Sequence, residues 1–180
     1  EREKFFLLSA HREENIDLEE NFLSLMDAVN TAAAAYEMPV IYSVHPRSKK
    51  FIEQRNYRFH PLVREMQPFG FLDYNKLQKN AYCVISDSGT LSEESALLGF
   101  PAVLLRTSTE RPEALDQGRV IIGGITAESV GQAIDLAVGM RRNQETTECP
   151  DDYMCRNVSA KVARIIQSYT DVVNRTVWRK

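Results

Sequence analysis

A chain of 180 residues is long enough for one well-cored domain and short for two, and 43% apolar with 26% charged residues is the balance of an ordinary soluble globular protein. A net charge of −3, with no basic stretch interleaved with aromatics, argues against a nucleic-acid partner, and no apolar run is long enough to span a membrane. The cysteines Cys83, Cys149 and Cys155 are odd in number and lack flanking histidines, so they read as reduced thiols of a cytoplasmic protein rather than metal ligands.

Strands and helices alternate along the chain. Phe5–Ser9 is an apolar run that ends in small and polar residues, a first strand. Asp17, with Glu20 three residues on, predicts a helix start, and Leu18, Phe22, Leu25, Met26, Val29 and Tyr36 keep helical spacing. Pro39–Val44 reads as a second strand, Ser48–Gln54 as a short helix and Val63–Phe69 as a weaker third strand. Asp73 is expected to cap a helix running to Asn80, and Tyr82–Ser86 is the fourth strand. Thr90–Leu98 reads as a helix closed by Gly99, after which Pro101 opens the strand Ala102–Leu105. Then come a short helix Arg111–Asp116, a last strand Val120–Ile122 and an amphipathic helix Ala127–Met140 with Val130, Ile134 and Val138 on one side. Asn143–Asp152 is a polar loop, and two helices, Arg156–Ser168 and Asp171–Val177, close the chain. Near-continuous apolar strands alternating with helices predict an α/β fold, a Rossmann-like parallel sheet with helices on both faces. The chain opens on Glu1 and enters a strand almost at once, as either a piece cut from a longer protein or a processed chain would.

Four polar clusters fall at strand ends, the edge where open α/β sheets bind ligands. After the fourth strand come Ser86, Asp87, Ser88, Gly89 and Thr90, short residues that expose backbone N–H groups before a helix N-terminus and suit an anion. Glu94 falls on the same helical arc as Leu91, Leu97 and Leu98, so a carboxylate sits on a face expected to pack inward and needs a hydrogen-bond donor, for which a ligand hydroxyl is one candidate. Thr90 and Glu93 also satisfy a T-x-x-E capping box, a purely structural role that leaves Glu94 free. His11, Arg12, Glu13, Glu14 and Asn15 follow the first strand, where a histidine serves either as a loop residue or, with Arg12, for a phosphorylated or sugar ligand. His45, held extended by Pro46, and Arg47 follow the second. Arg111 stands before Pro112 at a helix start, suited to a phosphate or to a surface pair with Glu110 or Glu113. Tyr74, between Phe71 and Leu77, is either core or a platform for a base.

Several chemistries are missing from the sequence. There is no G-x-G-x-x-G, no G-x-x-x-x-G-K-[ST], no H-E-x-x-H, no paired C-x-x-C and no G-x-S-x-G. A phosphate- and sugar-binding α/β domain without an evident nucleophile, metal or redox cofactor remains.

Ser-Ala-His-Arg-x-Glu-Asn (9–15), Val-His-Pro (44–46), Ser-Asp-Ser-Gly-Thr-x-x-Glu-Glu (86–94) and Thr-Glu-Arg-Pro-Glu (109–113) occur in an order that resembles the C-terminal half of non-hydrolysing UDP-N-acetylglucosamine 2-epimerases. The resemblance covers nearly the whole chain. It implies one half of a two-domain GT-B-type fold, with residues 1–180 as its C-terminal nucleotide-binding domain and the missing N-terminal domain as partner. It further implies a homodimer when full length, no cofactor and no metal. On the matching positions, Ser88, Gly89 and Thr90 would hold the diphosphate, Arg111 would pair with it, Glu94 would take the ribose hydroxyls and Tyr74 would contact uracil. His11 would stand at the diphosphate and the catalytic cleft. His11, Arg12, Glu14 and His45 match positions that in several bacterial members contact a second, activating UDP-sugar. The reaction implied is inversion at C2 through elimination and re-addition of UDP, which interconverts UDP-GlcNAc and UDP-ManNAc.

Two departures bear on the substrate. Thr90 stands where most such enzymes have glycine, and Glu13 where many have arginine. Residues 9–17 and 168–178 look closer to a branch that acts on UDP-2-acetamido-2,6-dideoxy-L-talose and forms UDP-N-acetyl-L-fucosamine. A GT-B glycosyltransferase and a non-catalytic UDP-sugar-binding domain are the competing readings. No pair of carboxylates in this chain supplies the acid and base that C2 chemistry needs. The closing segment carries Tyr169, Val172, Val173, Val177 and Trp178, apolar for a chain end; by resemblance this helix crosses to the other domain.

Overall fold

The computed structural model describes residues 1–143 and 148–180, which divide into two compact units, Glu1–Pro150 and Asp151–Lys180. The first unit is the expected parallel α/β sheet. Its six strands are β1 (Phe6–Ser9), β2 (Val40–Ser43), β3 (Val63–Met66), β4 (Cys83–Ser86), β5 (Ala102–Leu104) and β6 (Ile121–Ile122), arranged β3-β2-β1-β4-β5-β6 with every neighbour parallel. Helices α1 (Glu13–Ile16), α2 (Glu19–Ala35), α3 (Pro46–Gln54), α4 (Phe71–Asn80), α5 (Thr90–Leu98), α6 (Pro112–Asp116) and α7 (Ala127–Arg142) connect and cover the strands.

Successive side chains of a strand alternate between faces, and here both faces are dry. Phe6 and Leu8 join Phe22, Met26 and Val29 of α2 and Ile134 and Val138 of α7 in one core. Leu7, Val84 and Leu104 point the other way and are just as completely buried. Each such side chain contributes about 1.5–3 kcal/mol on leaving water, which is why the central strands read as unbroken apolar runs. Gly123 shows how closely the β5 side packs: a Cβ there would lie 2.5 Å from Val103 Cγ1 and 3.3 Å from Ala133 Cβ.

Two helix starts depart from expectation. Asp17 does not cap α2; Leu18 holds that position without a side-chain cap, and Asp17 instead closes the unforeseen α1. Its carboxylate is gripped by Arg47, with Nε at 3.0 Å and Nη2 at 2.6 Å. Asp73 does not cap α4 either, since Gly70 is the extended residue before the helix and Asp73 lies in its first turn. The C-terminal stop of α5 is as expected, with Gly99 at φ 71°, a left-handed position that costs a glycine least. Part of the predicted polar loop Asn143–Asp152 lies outside the described residues, and Asp151–Met154 forms a turn of 3₁₀-helix.

The second unit corrects the pair of closing helices. One helix, α8 (Val158–Thr176), runs through the expected break. Thr170, where the break was placed, donates its hydroxyl to the Ile166 carbonyl one turn back at 2.6 Å and so stays within the helix. No residue of α8 is buried, although Val162, Ile165, Ile166, Tyr169, Val172 and Val173 recur at helical spacing. Among the described residues no helix is long and apolar enough to cross a membrane.

Candidate functional site at the carboxyl ends of β1 and β4

In the strand order found here, connections leaving β1 and β4 depart to opposite sides of the sheet, and the crevice between them is where such folds take ligands. Asp87, the first residue beyond β4, fastens that crevice. It is wholly buried, and its Oδ2 accepts from the backbone N–H of His11 at 2.9 Å, from that of Arg12 at 2.8 Å and from Asn15 Nδ2 at 3.2 Å. Asn15 also donates to the Leu105 carbonyl at 2.9 Å, so one amide joins the ends of β1, β4 and β5. Three donors on one carboxylate oxygen are what a buried charge requires. From the sequence, Asp87 was one of five short residues exposing amides; in the fold it is the clamp.

The loop held by Asp87 presents His11 and Arg12. His11 Nδ1 lies 3.5 Å from Asp87 Oδ1, and its ring is 5.0 Å from that of His45. His45 caps α3, its Nδ1 accepting the Arg47 N–H at 3.2 Å, so its structural and site-edge positions coincide. Arg12 reaches Glu14 at 3.1 Å and Glu110 at 3.3 Å. Burial pulls the Arg12 guanidinium pKa down, but these carboxylates more than offset it and the net shift is upward.

Ser88, Gly89 and Thr90 lead into α5 as expected, with Gly89 at the N-cap and the Ser88 and Thr90 hydroxyls 3.0 Å apart. The capping box does not form. Thr90 is already the first helical residue, and Glu93 turns to Arg111 instead, Oε1 to Nε 2.6 Å. Arg111 therefore sits beside the first turn of α5, with Glu93 as a carboxylate partner outside the pairs expected from the sequence. Glu110 goes elsewhere. Its Oε1 is 3.8 Å from where a Cβ on Gly89 would be, and its Oε2 is in ion-pair contact with the nearly buried Arg106 Nη1 at 2.6 Å. The Glu110 carboxylate is held below its ordinary pKa, first by its own backbone N–H and then by Arg106. Arg12, Arg106 and Glu110 thus form a charged rim over Gly89. The sequence displayed Arg106 and Glu110 in one cluster without indicating that rim.

The inward arc drawn through Leu91, Glu94, Leu97 and Leu98 needs correction. Leu91 is buried, but Leu97 is 52% exposed, and the packed side of α5 is Leu91, Ser92, Ser95 and Ala96. Glu94 lies at the border of that side, half-buried, and the donor it needs comes from Gln78 Nε2 of α4 at 2.5 Å. Gln78 is fully buried and stands four residues after Tyr74, on the same face of α4, a spacing that could have revealed it. Tyr74 is half-buried rather than an open platform: its hydroxyl interacts with Ser9, and burial raises its pKa to about 12, with Ser9 opposing and Glu94 adding to the rise. The open apolar residues at this helix start are Phe71 and Leu72, 77% and 80% exposed.

His11, Arg12, Glu14 and His45 thus follow β1 and β2, Ser88, Gly89 and Thr90 follow β4, and Tyr74, Glu94 and Arg111 lie in or just before α4, α5 and α6. A cavity of about 110 Å³ is lined by none of them, but by Gly99, Phe100, Arg119, Ala137 and Met140 among others. No cluster of three or more histidine, cysteine, aspartate or glutamate residues suited to a metal occurs among the described residues.

Known proteins share both sequence and fold with this chain. The family model described as UDP-N-acetylglucosamine 2-epimerase matches residues 1–167. UDP-N-acetylglucosamine 2-epimerase of Methanocaldococcus jannaschii is 32% identical over 143 residues, which is 77% of this chain and 39% of the relative. The enzyme of the same name from Methanococcus maripaludis is 35% identical over 145 residues, 78% of this chain and 40% of its own. The solved structure of UDP-N-acetylglucosamine 2-epimerase from Rickettsia bellii superposes with a TM-score of 0.82 at 37% identity, covering 100% of this chain and 48% of that one. The M. jannaschii enzyme in complex with UDP-GlcNAc and UDP gives a TM-score of 0.81 at 28% identity, covering 91% and 45%. The chain therefore spans less than half the length of these relatives. With a family model matched over residues 1–167 and these two curated relatives aligned over more than three quarters of its length, this chain belongs to the UDP-N-acetylglucosamine 2-epimerase family.

Proposed function

We propose that the chain is the C-terminal, nucleotide-holding half of a UDP-N-acetylhexosamine 2-epimerase, an isomerase of GT-B-type architecture that interconverts UDP-GlcNAc and UDP-ManNAc in the cytoplasm. The observation that carries this reading is the clamp of Asp87 on the β1 loop, which gathers His11 and Arg12 beside the α5 N-terminus, a place suited to a diphosphate. Ser88, Gly89 and Thr90 receive the phosphates, Arg111 exchanges Glu93 for them, Glu94 takes ribose hydroxyls while Gln78 steadies it, and Tyr74 borders the base. A relative solved with UDP-GlcNAc and UDP supports the ligand class. His11 stands where the departing diphosphate meets the sugar, and His11, Arg12, Glu14 and His45 form the edge available to an activating UDP-sugar.

In the proposed reaction the C2 proton leaves as the C1–O bond to UDP breaks, giving a glycal. UDP then returns to C1 and a proton to the opposite face of C2. The base and acid come from the N-terminal half, the chain's partner, and two such enzymes pair as a homodimer.

The test is to incubate the full-length protein with UDP-GlcNAc in deuterated water and follow products by NMR. Epimers carrying deuterium at C2 are expected. Transfer of the sugar to an acceptor without C2 exchange would instead make the protein a glycosyltransferase, and no turnover with retained UDP binding would leave a binding domain. Thr90 and Glu13 favour one second reading, the fucosamine-forming branch; preferential C2 exchange in UDP-2-acetamido-2,6-dideoxy-L-talose would establish it.

A further inference from the structure

Asp87 is completely buried, yet only half of its carboxylate is used. Oδ2 takes three donors, whereas Oδ1 is among the buried polar atoms that no hydrogen bond reaches. A buried acceptor left empty is costly, and carboxylate oxygens in native folds are almost always matched. The group facing Oδ1 is the His11 ring, Nδ1 at 3.5 Å, a few tenths of an ångström beyond an ordinary hydrogen bond. The ring's other neighbour is the His45 imidazole, 5.0 Å between centroids. His45 is committed the opposite way: its Nδ1 accepts the Arg47 N–H, so its proton sits on Nε2 when neutral.

We propose that Asp87 is the positioning residue for His11: Oδ1 accepts the His11 Nδ1–H, sets the ring's orientation, and leaves Nε2 as the free lone pair at the crevice between β1 and β4. Two neighbouring histidines, their rings tilted by 31°, then carry opposite tautomers, each dictated by the partner of its own Nδ1. The same carboxylate fixes the backbone of residue 11 through Oδ2 and its ring through Oδ1, so main chain and side chain are set by one group.

The substitution Asp87→Asn separates these two duties. Three N–H donors converge on the Oδ2 position, so the asparagine must keep its oxygen there and turn its NH₂ toward His11. Nδ1 then becomes an acceptor and the His11 proton moves to Nε2. Imidazole ¹⁵N chemical shifts of this chain, taken where the rings are neutral, read the tautomers directly. The expected result is Nδ1–H at His11 and Nε2–H at His45 in the parent chain, with His11 alone inverted in D87N. An Nε2–H tautomer at His11 in the parent overturns the proposal even if D87N fails to fold, and so does a folded D87N chain with His11 unchanged. That measurement needs no substrate. The catalytic consequence rests on the epimerase assignment: in the full-length enzyme D87N should lower kcat by roughly 100-fold while KM for the UDP-sugar changes little. Inverted tautomers with undiminished kcat would uphold Asp87 as positioning His11 and remove His11 from the chemistry.

Discussion

The β1–β4 junction and helix α8 treat their unusual residues in opposite ways. At the junction, charges are drawn inside: Asp87 is wholly buried and held by residues far back in the sequence, and Arg106 is nearly buried and paired with Glu110 four residues on. Along α8, apolar side chains are left outside, Ile166 at 61% exposure and Trp178 beyond the helix at 64%. Burying a charge and exposing an apolar stripe both cost free energy, so each needs a compensating contact. The junction has its compensation within Glu1–Pro150. Within Asp151–Lys180, α8 buries nothing.

The sharpest way to break this comparison is Asp87→Ala. If the clamp is as central as its three donors suggest, unfolding of the chain in urea should lose about 3 kcal/mol, since buried N–H groups are left without an acceptor. A loss below about 0.5 kcal/mol would put the junction's order elsewhere. Arg111→Ala should weaken UDP and UMP binding alike, by about 1.5–3 kcal/mol in calorimetry, less whatever the freed Glu93 repels. If only the diphosphate weakens, Arg111 serves the β-phosphate alone.

A smaller effect is expected from Glu94→Gln, about 1 kcal/mol on UDP and little on its 2′,3′-dideoxy analogue. Equal losses on both would confine Glu94 to its bond with Gln78. The junction's rim should also respond to acid. Glu14 and Glu110 are both held below the ordinary carboxylate value of 4.5, the first by its own backbone N–H and Arg12, the second by its own backbone N–H and Arg106. A carboxylate depressed in the folded state contributes stability that is fully present above its unfolded pKa and is lost as pH falls through the folded one. Stability should therefore be flat above about pH 5 and decline below about pH 4.5, and E110Q should flatten part of that decline. The least change is predicted for α8. Ile166→Asp should move the unfolding of Glu1–Pro150 by less than about 0.5 kcal/mol, with amides 171–178 exchanging far faster than those of β1. Strong protection of 171–178 in a monomeric chain would show that α8 has found its cover without a partner.

What the sequence displayed and what it hid divide along range. The bounds of α5 were legible because Gly99 and Pro101 punctuate the chain locally, and the parallel sheet because Phe6–Leu8 and Val84–Ile85 are apolar without alternation. Placement of the polar clusters at strand ends followed from the fold class alone. Hidden were the claims made across the chain. Glu93 fits a capping box until Arg111, 18 residues on, takes it, and Asp17 fits an N-cap until Arg47 does. Glu94 had a recognisable need for a donor, but Gln78, which meets it, lies 16 residues back on another helix and shows itself only through its spacing from Tyr74. The continuity of α8 across Tyr169 and Thr170 was missed although it is settled locally, the Thr170 hydroxyl donating to the Ile166 carbonyl within the helix.

The central place of β1 also has a consequence during synthesis. One of its edges pairs with β2, 34 residues downstream by register, but the other must wait for β4, as Phe6 faces Val40 on one side and Cys83 on the other. At ribosomal rates a strand devoted to the core spends several seconds with one edge of backbone N–H and C=O groups unpaired and the apolar side chains of Phe6, Leu7 and Leu8 uncovered. Newly made chains should therefore lean on chaperones more than finished ones do, and lesions that delay β4 should lower yield without altering the stability of the molecules that succeed.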